Sequence, residues 1–145
     1  MNRIKIPIVV TRQERDEIRN AYVAAFESAN QEHIEYIRLR LPAVIRRLEK
    51  SDEDWLIKTA VVARHLSLLL RKDSNVPKMV RRKIVAALHY LCDPLEVIPD
   101  HVSGRGYADD ALVLNLCLSE LQKDGIKLPE LDETNLTENR QRKLF

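Results

Sequence analysis

Residues 108–124 read ADDALVLNLCLSELQKD, and the fold class turns on this run. It is apolar almost all round, with only Asn115, Ser119 and Gln122 aligned as a polar stripe. A helix of that composition belongs in the middle of a bundle, where neighbours cover most of its circumference. Gly125 follows it as a left-handed cap. Upstream, Ile84, Ala87, Leu88 and Leu91 repeat at i, i+3, i+4 and i+7, and Pro77 suits a first helical position. That helix ends at Cys92-Asp93-Pro94, because a residue before proline is pushed out of the α region.

Further upstream, Ser51-Asp52-Glu53-Asp54 supplies an N-cap hydroxyl and three carboxylates at the positive end of a helix dipole. Trp55, Thr59, Val62, Leu66 and Leu69 form one stripe of that helix. Ile57, Val61 and Leu68 form a second, so it should lie between two neighbours. At the start, Thr11-Arg12-Gln13-Glu14 is a capping box. Ile18, Tyr22, Ala25, Ala29 and Tyr36 then predict a long helix over 11–40, which Pro42 should end or kink. Beyond it, Ala43, Val44, Ile45 and Leu48 predict a short helix carrying Arg46, Arg47 and Lys50 outward. The expectation is all-α: a bundle of roughly five helices with an ordered Pro/Gly/Asp loop before the last core helix. Its parts are an N-terminal segment (1–10), one helical domain (11–129) and a polar, partly disordered tail (130–145).

Composition agrees. The 145 residues include 45% apolar and 32% charged side chains but three glycines, too few for the turns of a β-sandwich or for phosphate-cradling loops. Two cysteines make no disulfide scaffold, and no apolar run reaches bilayer length. Residues 1–10 lack the h-region and cleavage site of a signal peptide, so a cytoplasmic location is expected. Charge is divided along the chain. Residues 1–92 hold 18 Lys+Arg against 11 Asp+Glu, a balance of +7, whereas 93–133 hold 3 against 10, a balance of −7. An acidic segment docking on a basic one would explain this, and so would a basic face awaiting an anionic partner.

The unusual stretch runs from Tyr90 through Pro94, Glu96, Ile98, Pro99 and Asp100, then resumes at Gly106, Tyr107, Asp109 and Asp110. It resembles the YkvA-like family, a small helical domain of unknown function. That family's pattern is Tyr-x-x-x-Pro-x-Asp-Leu-Ile-Pro-Asp, a short loop, and Gly-Tyr-x-Asp-Asp opening an apolar helix. The resemblance covers residues 83–121, about a quarter of the chain. Here Glu96 stands in place of the family's usual Asp, and His101, Ser103, Gly104 and Arg105 make the loop more polar. The resemblance implies a fold and a characteristic loop rather than an activity.

Residue chemistry offers two accounts of that loop. Asp110 shares a stripe with Leu114, Cys117 and Leu121 and should point inward, where a carboxylate must be hydrogen-bonded or paired. Backbone N–H groups of the 96–106 loop, or a basic side chain from residues 1–92, would be its partners, and the acidic 93–110 segment should lie against basic residues of earlier helices such as Arg64 or Arg82. On this account the acids pin the loop to the helix and Gly106 permits close approach. Alternatively, Glu96, Asp100, Asp109 and Asp110 are oxygen donors suited to Mg²⁺, Ca²⁺ or Mn²⁺, the one cofactor class implied, and would serve a metal-dependent enzyme. The same carboxylates could form a general acid/base pair, but no nucleophile accompanies them.

Other chemistries have thinner support. His89 and Cys92, with His65 or Cys117, contain donors for zinc but no CxxC or HxxxH pair. His33 falls on the apolar stripe of the first helix and reads as an interfacial residue. Lys78, Arg81 and Arg82 could form a ridge toward phosphates, joined by Arg46 and Arg47, in a nucleic-acid-binding module. With no catalytic set in view, the leading expectation is an accessory or regulatory protein acting through contact with another protein.

Overall fold

The computed structural model describes Ile6 and residues 8–71, 75–92 and 108–126. Five helices follow in order: α1 (Arg12–Ser28), α2 (Gln31–Glu49), α3 (Asp54–Leu69), α4 (Lys78–Cys92) and α5 (Ala108–Lys123). No strand occurs among the described residues, and the all-α reading holds.

The capping box forms as spelled. Glu14 N–H donates to Thr11 Oγ1 at 3.1 Å, and Thr11 N–H donates to Glu14 Oε1 at 2.9 Å. The far end of α5 closes equally locally. Gly125 takes φ +79°, and N–H groups of Gly125 and Ile126 reach the carbonyls of Gln122 (3.1 Å) and Leu121 (2.9 Å). That is a Schellman motif, and Ile126 folds back onto the core.

The first helix departs from expectation. It ends at Ser28 rather than near residue 40, and Pro42 sits inside α2. Asn30 makes the break, accepting from His33 N–H through its side chain at 3.2 Å. An interior proline costs about 3 kcal/mol. Ile37, Leu41, Ile45 and Leu48 lie fully buried on either side of it. At about 1.5–3 kcal/mol for each such side chain, their packing outweighs the proline. The third helix also starts later than read, at Asp54. Glu53 occupies the cap without a side-chain bond, and Ser51 Oγ instead accepts from Glu53 N–H at 3.0 Å.

The centre of the bundle is α4, not α5. It packs against all four other helices, whereas α2 touches only α3 and α4 and lies at the edge. Its small residues Ala86 and Ala87 are fully buried, which lets neighbours approach closely. Leu66, Leu88 and Leu91 are buried, whereas Trp55, Leu112 and Leu116 are half-buried at the margin of the core. Ile6 is tied to α5. Asn115 of α5 accepts from Ile6 N–H at 2.8 Å and donates to its carbonyl at 2.9 Å, and Ile6 is buried.

Candidate functional site

The distinctive loop lies between the C-terminal end of α4 and the N-terminal end of α5. Pro94, Glu96, Pro99, Asp100, His101, Gly106 and Tyr107 fall outside the described residues. The two aspartates that follow are described, and both are fully buried. Asp109 Oδ2 accepts from the Tyr90 hydroxyl at 3.2 Å, and Asp109 Oδ1 accepts from Asp110 N–H at 3.0 Å. Tyr90 and Asp109 are the first tyrosine and the first of the paired aspartates in the motif, so the geometry joins its two ends. One carboxylate accepts from a phenol of α4 and from an N–H in the first turn of α5, where helices leave donors to be met from outside the ladder. It acts as a fastener between helices. Sequence reading gave the inward position to Asp110 and assigned Tyr90 no role, since its ring and hydroxyl meet Asp109 only across the closed α4–α5 pair.

Beside this fastener, His33 of α2 stacks on His89 of α4 with ring centroids 4.1 Å apart, and Tyr36 lies 5.2 Å from His89. Tyr36 OH donates to the Cys92 carbonyl at 3.5 Å, and Arg40 covers the outer face of the Tyr36 ring at 4.8 Å. His33 is thus interfacial, as its stripe position implied. No group of three His, Cys, Asp or Glu among the described residues is arranged to hold a metal ion.

The basic cluster of α4 divides into two pairs with different tasks. Arg82, read as part of an exposed ridge, turns instead to the end of α1. It donates to the carbonyls of Phe26 and Glu27, each at 2.8 Å, and stacks over the Phe26 ring at 4.6 Å. Because α1 has no basic residue in its last turn, Arg82 supplies the cation that its dipole favours there. Lys83 pairs with Asp124 at 2.7 Å and approaches Glu120 at 4.0 Å. Lys78 and Arg81 remain, facing the first turn of α2 across a cleft. Arg64, the other expected partner of the acidic segment, pairs with Glu49 at 2.7 Å.

A second polar knot lies between α1, α4 and α5. Tyr22 OH and Cys117 Sγ both point to the Lys83 carbonyl, at 3.2 and 3.6 Å. Burial pushes the Cys117 thiol up to about 12, although a hydrogen bond with Tyr22 and the Lys83 charge oppose the shift. Burial likewise carries the Tyr22 phenol above its ordinary range, aided by the neighbouring thiol and by the Glu120 and Asp124 charges. Neither group is an available nucleophile near neutral pH.

On α2, Arg46 and Arg47 are exposed, as read, together with Arg38 and Arg40, and so is Lys50 at its C-cap. Leu39 stands among them, 82% exposed. None of the described helices is long and apolar enough to cross a membrane.

Among protein families, one described as a protein of unknown function (DUF1232) matches residues 80–116. The match runs from the first turn of α4 through the connection to the middle of α5, and so contains both Tyr90 and Asp109. No curated protein and no solved structure matches the chain.

Proposed function

We propose that this is a helical accessory protein that works by contact with another protein, using the outer face of α2. The observation that carries the reading is the ridge Leu39, Ala43, Arg46, Arg47 and Lys50 on an edge helix. Leu39 is 82% exposed, and Ala43 lies one turn further along. Interfaces combine such an apolar centre with a charged rim, and arginine is enriched in them. A partner with an acidic surface and a small apolar recess fits this chemistry.

The acid pair supports the same reading by exclusion. Asp109, fully buried and held by Tyr90, is engaged within the fold, which supports looking for recognition on an exposed face instead. We extend the family likeness in the same spirit: the YkvA-like pattern over 83–121 describes a fastened α4–α5 pair, on which each chain presents its own outer helices. A cytoplasmic setting goes with this proposal.

The test is capture from host lysate, with and without nuclease treatment, using the full chain and comparing wild type with Leu39→Asp and with Arg46→Glu/Arg47→Glu. The expected result is a protein retained by wild type and lost from both variants, whose melting curves match the parent. Unchanged retention by both variants would remove α2 from recognition. Loss on nuclease treatment alone would move the reading to nucleic acid.

A further inference from the structure

We propose that the cleft between the first turns of α2 and α4 binds a small phosphate ester, with Lys78 and Arg81 holding the phosphate. This site lies apart from the outer ridge of α2, whose residues are on later turns. The cleft measures about 230 Å³, and Gln31, Ile34, Lys78, Arg81 and Val85 line it.

Sequence shows four closely spaced cations, Lys78, Arg81, Arg82 and Lys83, and nothing in their order separates them. The fold does. Arg82 is bonded to the end of α1, and Lys83 is paired with Asp124. Lys78 and Arg81 make no ion pair among the described residues, although Arg81 is half-buried. A half-buried guanidinium has given up part of its hydration, and an anion in the cleft would offset that loss. The Arg82 guanidinium, also on the cleft wall, adds to the positive field.

The donors suit phosphate. The fork of Arg81 matches two oxygens of a tetrahedral dianion, Lys78 supplies a compact point charge, and the exposed Gln31 amide can donate to a third oxygen. Ile34 and Val85, both buried, form an apolar floor beside the cations. Such a floor favours an ester with an uncharged body over the bare ion. An extended nucleic acid would instead require a row of cations, and Arg46 and Arg47 do not line this cleft.

Backbone amide shifts of the full chain, followed by NMR at constant ionic strength, test the site with inorganic phosphate and with phenyl phosphate. Shifts should concentrate at 29–34 and 78–85, with phenyl phosphate binding several-fold more tightly. Arg81→Gln should weaken both by about tenfold or more, as expected for a lost charge-assisted bond, and Lys78→Gln should weaken them in the same direction. Arg46→Gln/Arg47→Gln should change neither. Lys78 is exposed, so its variant tests the site even where Arg81→Gln disturbs the helix. The proposal is overturned if phosphate shifts nothing beyond equivalent chloride. It is also overturned if the α2 arginines matter as much as Arg81 and Lys78, the mark of diffuse charge or of a nucleic-acid face.

Discussion

Asp109 shows how one side chain in this protein serves two elements at once. Its carboxylate takes the Tyr90 hydroxyl and the Asp110 N–H, with no water access. Replacing Asp109 with Ala removes the acceptor of both bonds and should cost about 1–3 kcal/mol. Tyr90→Phe removes one donor together with its need for a partner and should cost less. Urea unfolding of both variants checks this order, and equal midpoints would show that the bond contributes nothing. Cys117 gives a pH test. Its thiol stays protonated in the fold up to about 12, while in the unfolded chain it ionises from its ordinary value of 9.0. The unfolded state is therefore favoured progressively as pH rises through that window, and stability present below pH 9 is lost. The loss can reach a factor of ten in the folding constant per pH unit. Cys117→Ala should flatten the fall of stability between pH 9 and 10.5, and native Cys117 should resist alkylation at pH 8.

At the scale of the element, helix ends in this chain are set by two kinds of partner. Thr11, Asn30 and Gly125 close their helices with neighbours in sequence, and each is visible in the order of residues, although the apolar spacing that continues through Asn30 masks its cap. The end of α1 depends instead on Arg82, from 56 residues away along the chain. Arg82→Gln should therefore destabilise by about 1–3 kcal/mol through two lost charge-assisted bonds. Arg82→Lys should recover only part, because an ammonium lacks the fork and stacks less well on Phe26. Thermal melts of the pair decide this, and full rescue by lysine would reduce the contact to charge alone. Asn115 is the equivalent on α5. Asn115→Ala should raise the exchange rate of the Ile6 amide while leaving amides in the middle of α4 protected.

In the whole molecule, the edge and the centre should respond to truncation with very different magnitudes. Leu88→Ala, on the helix that meets every other, should cost about 2–5 kcal/mol. Leu39→Ala, on the outer face of α2, should stay within about 0.5 kcal/mol. Denaturant midpoints of the two variants check the ranking, and a Leu39 effect as large as that of Leu88 would mean that α2 carries a covering segment. Both outcomes follow from α4 touching four helices and α2 two.

Read alone, the residues determine the all-α class, because apolar spacing near 3.6 recurs along the chain and turn glycines are scarce. They determine most local boundaries as well, because capping chemistry acts over three or four residues and is written in order. They also place Asp110 inside, from its stripe. What only the tertiary structure decides is which polar group meets which. Tyr90 finds Asp109, Arg82 finds the end of α1, and Asn115 finds Ile6, in each case across helices whose relative rotation no periodicity states. The position of Pro42 illustrates the same divide. Its local cost argues for a break, but four buried aliphatic side chains around it repay that cost only once α3 and α4 are in place. The split of the α4 basic cluster into two engaged and two outward cations has the same origin: like charges adjacent in sequence are separated by the different neighbours that each side of a packed helix meets.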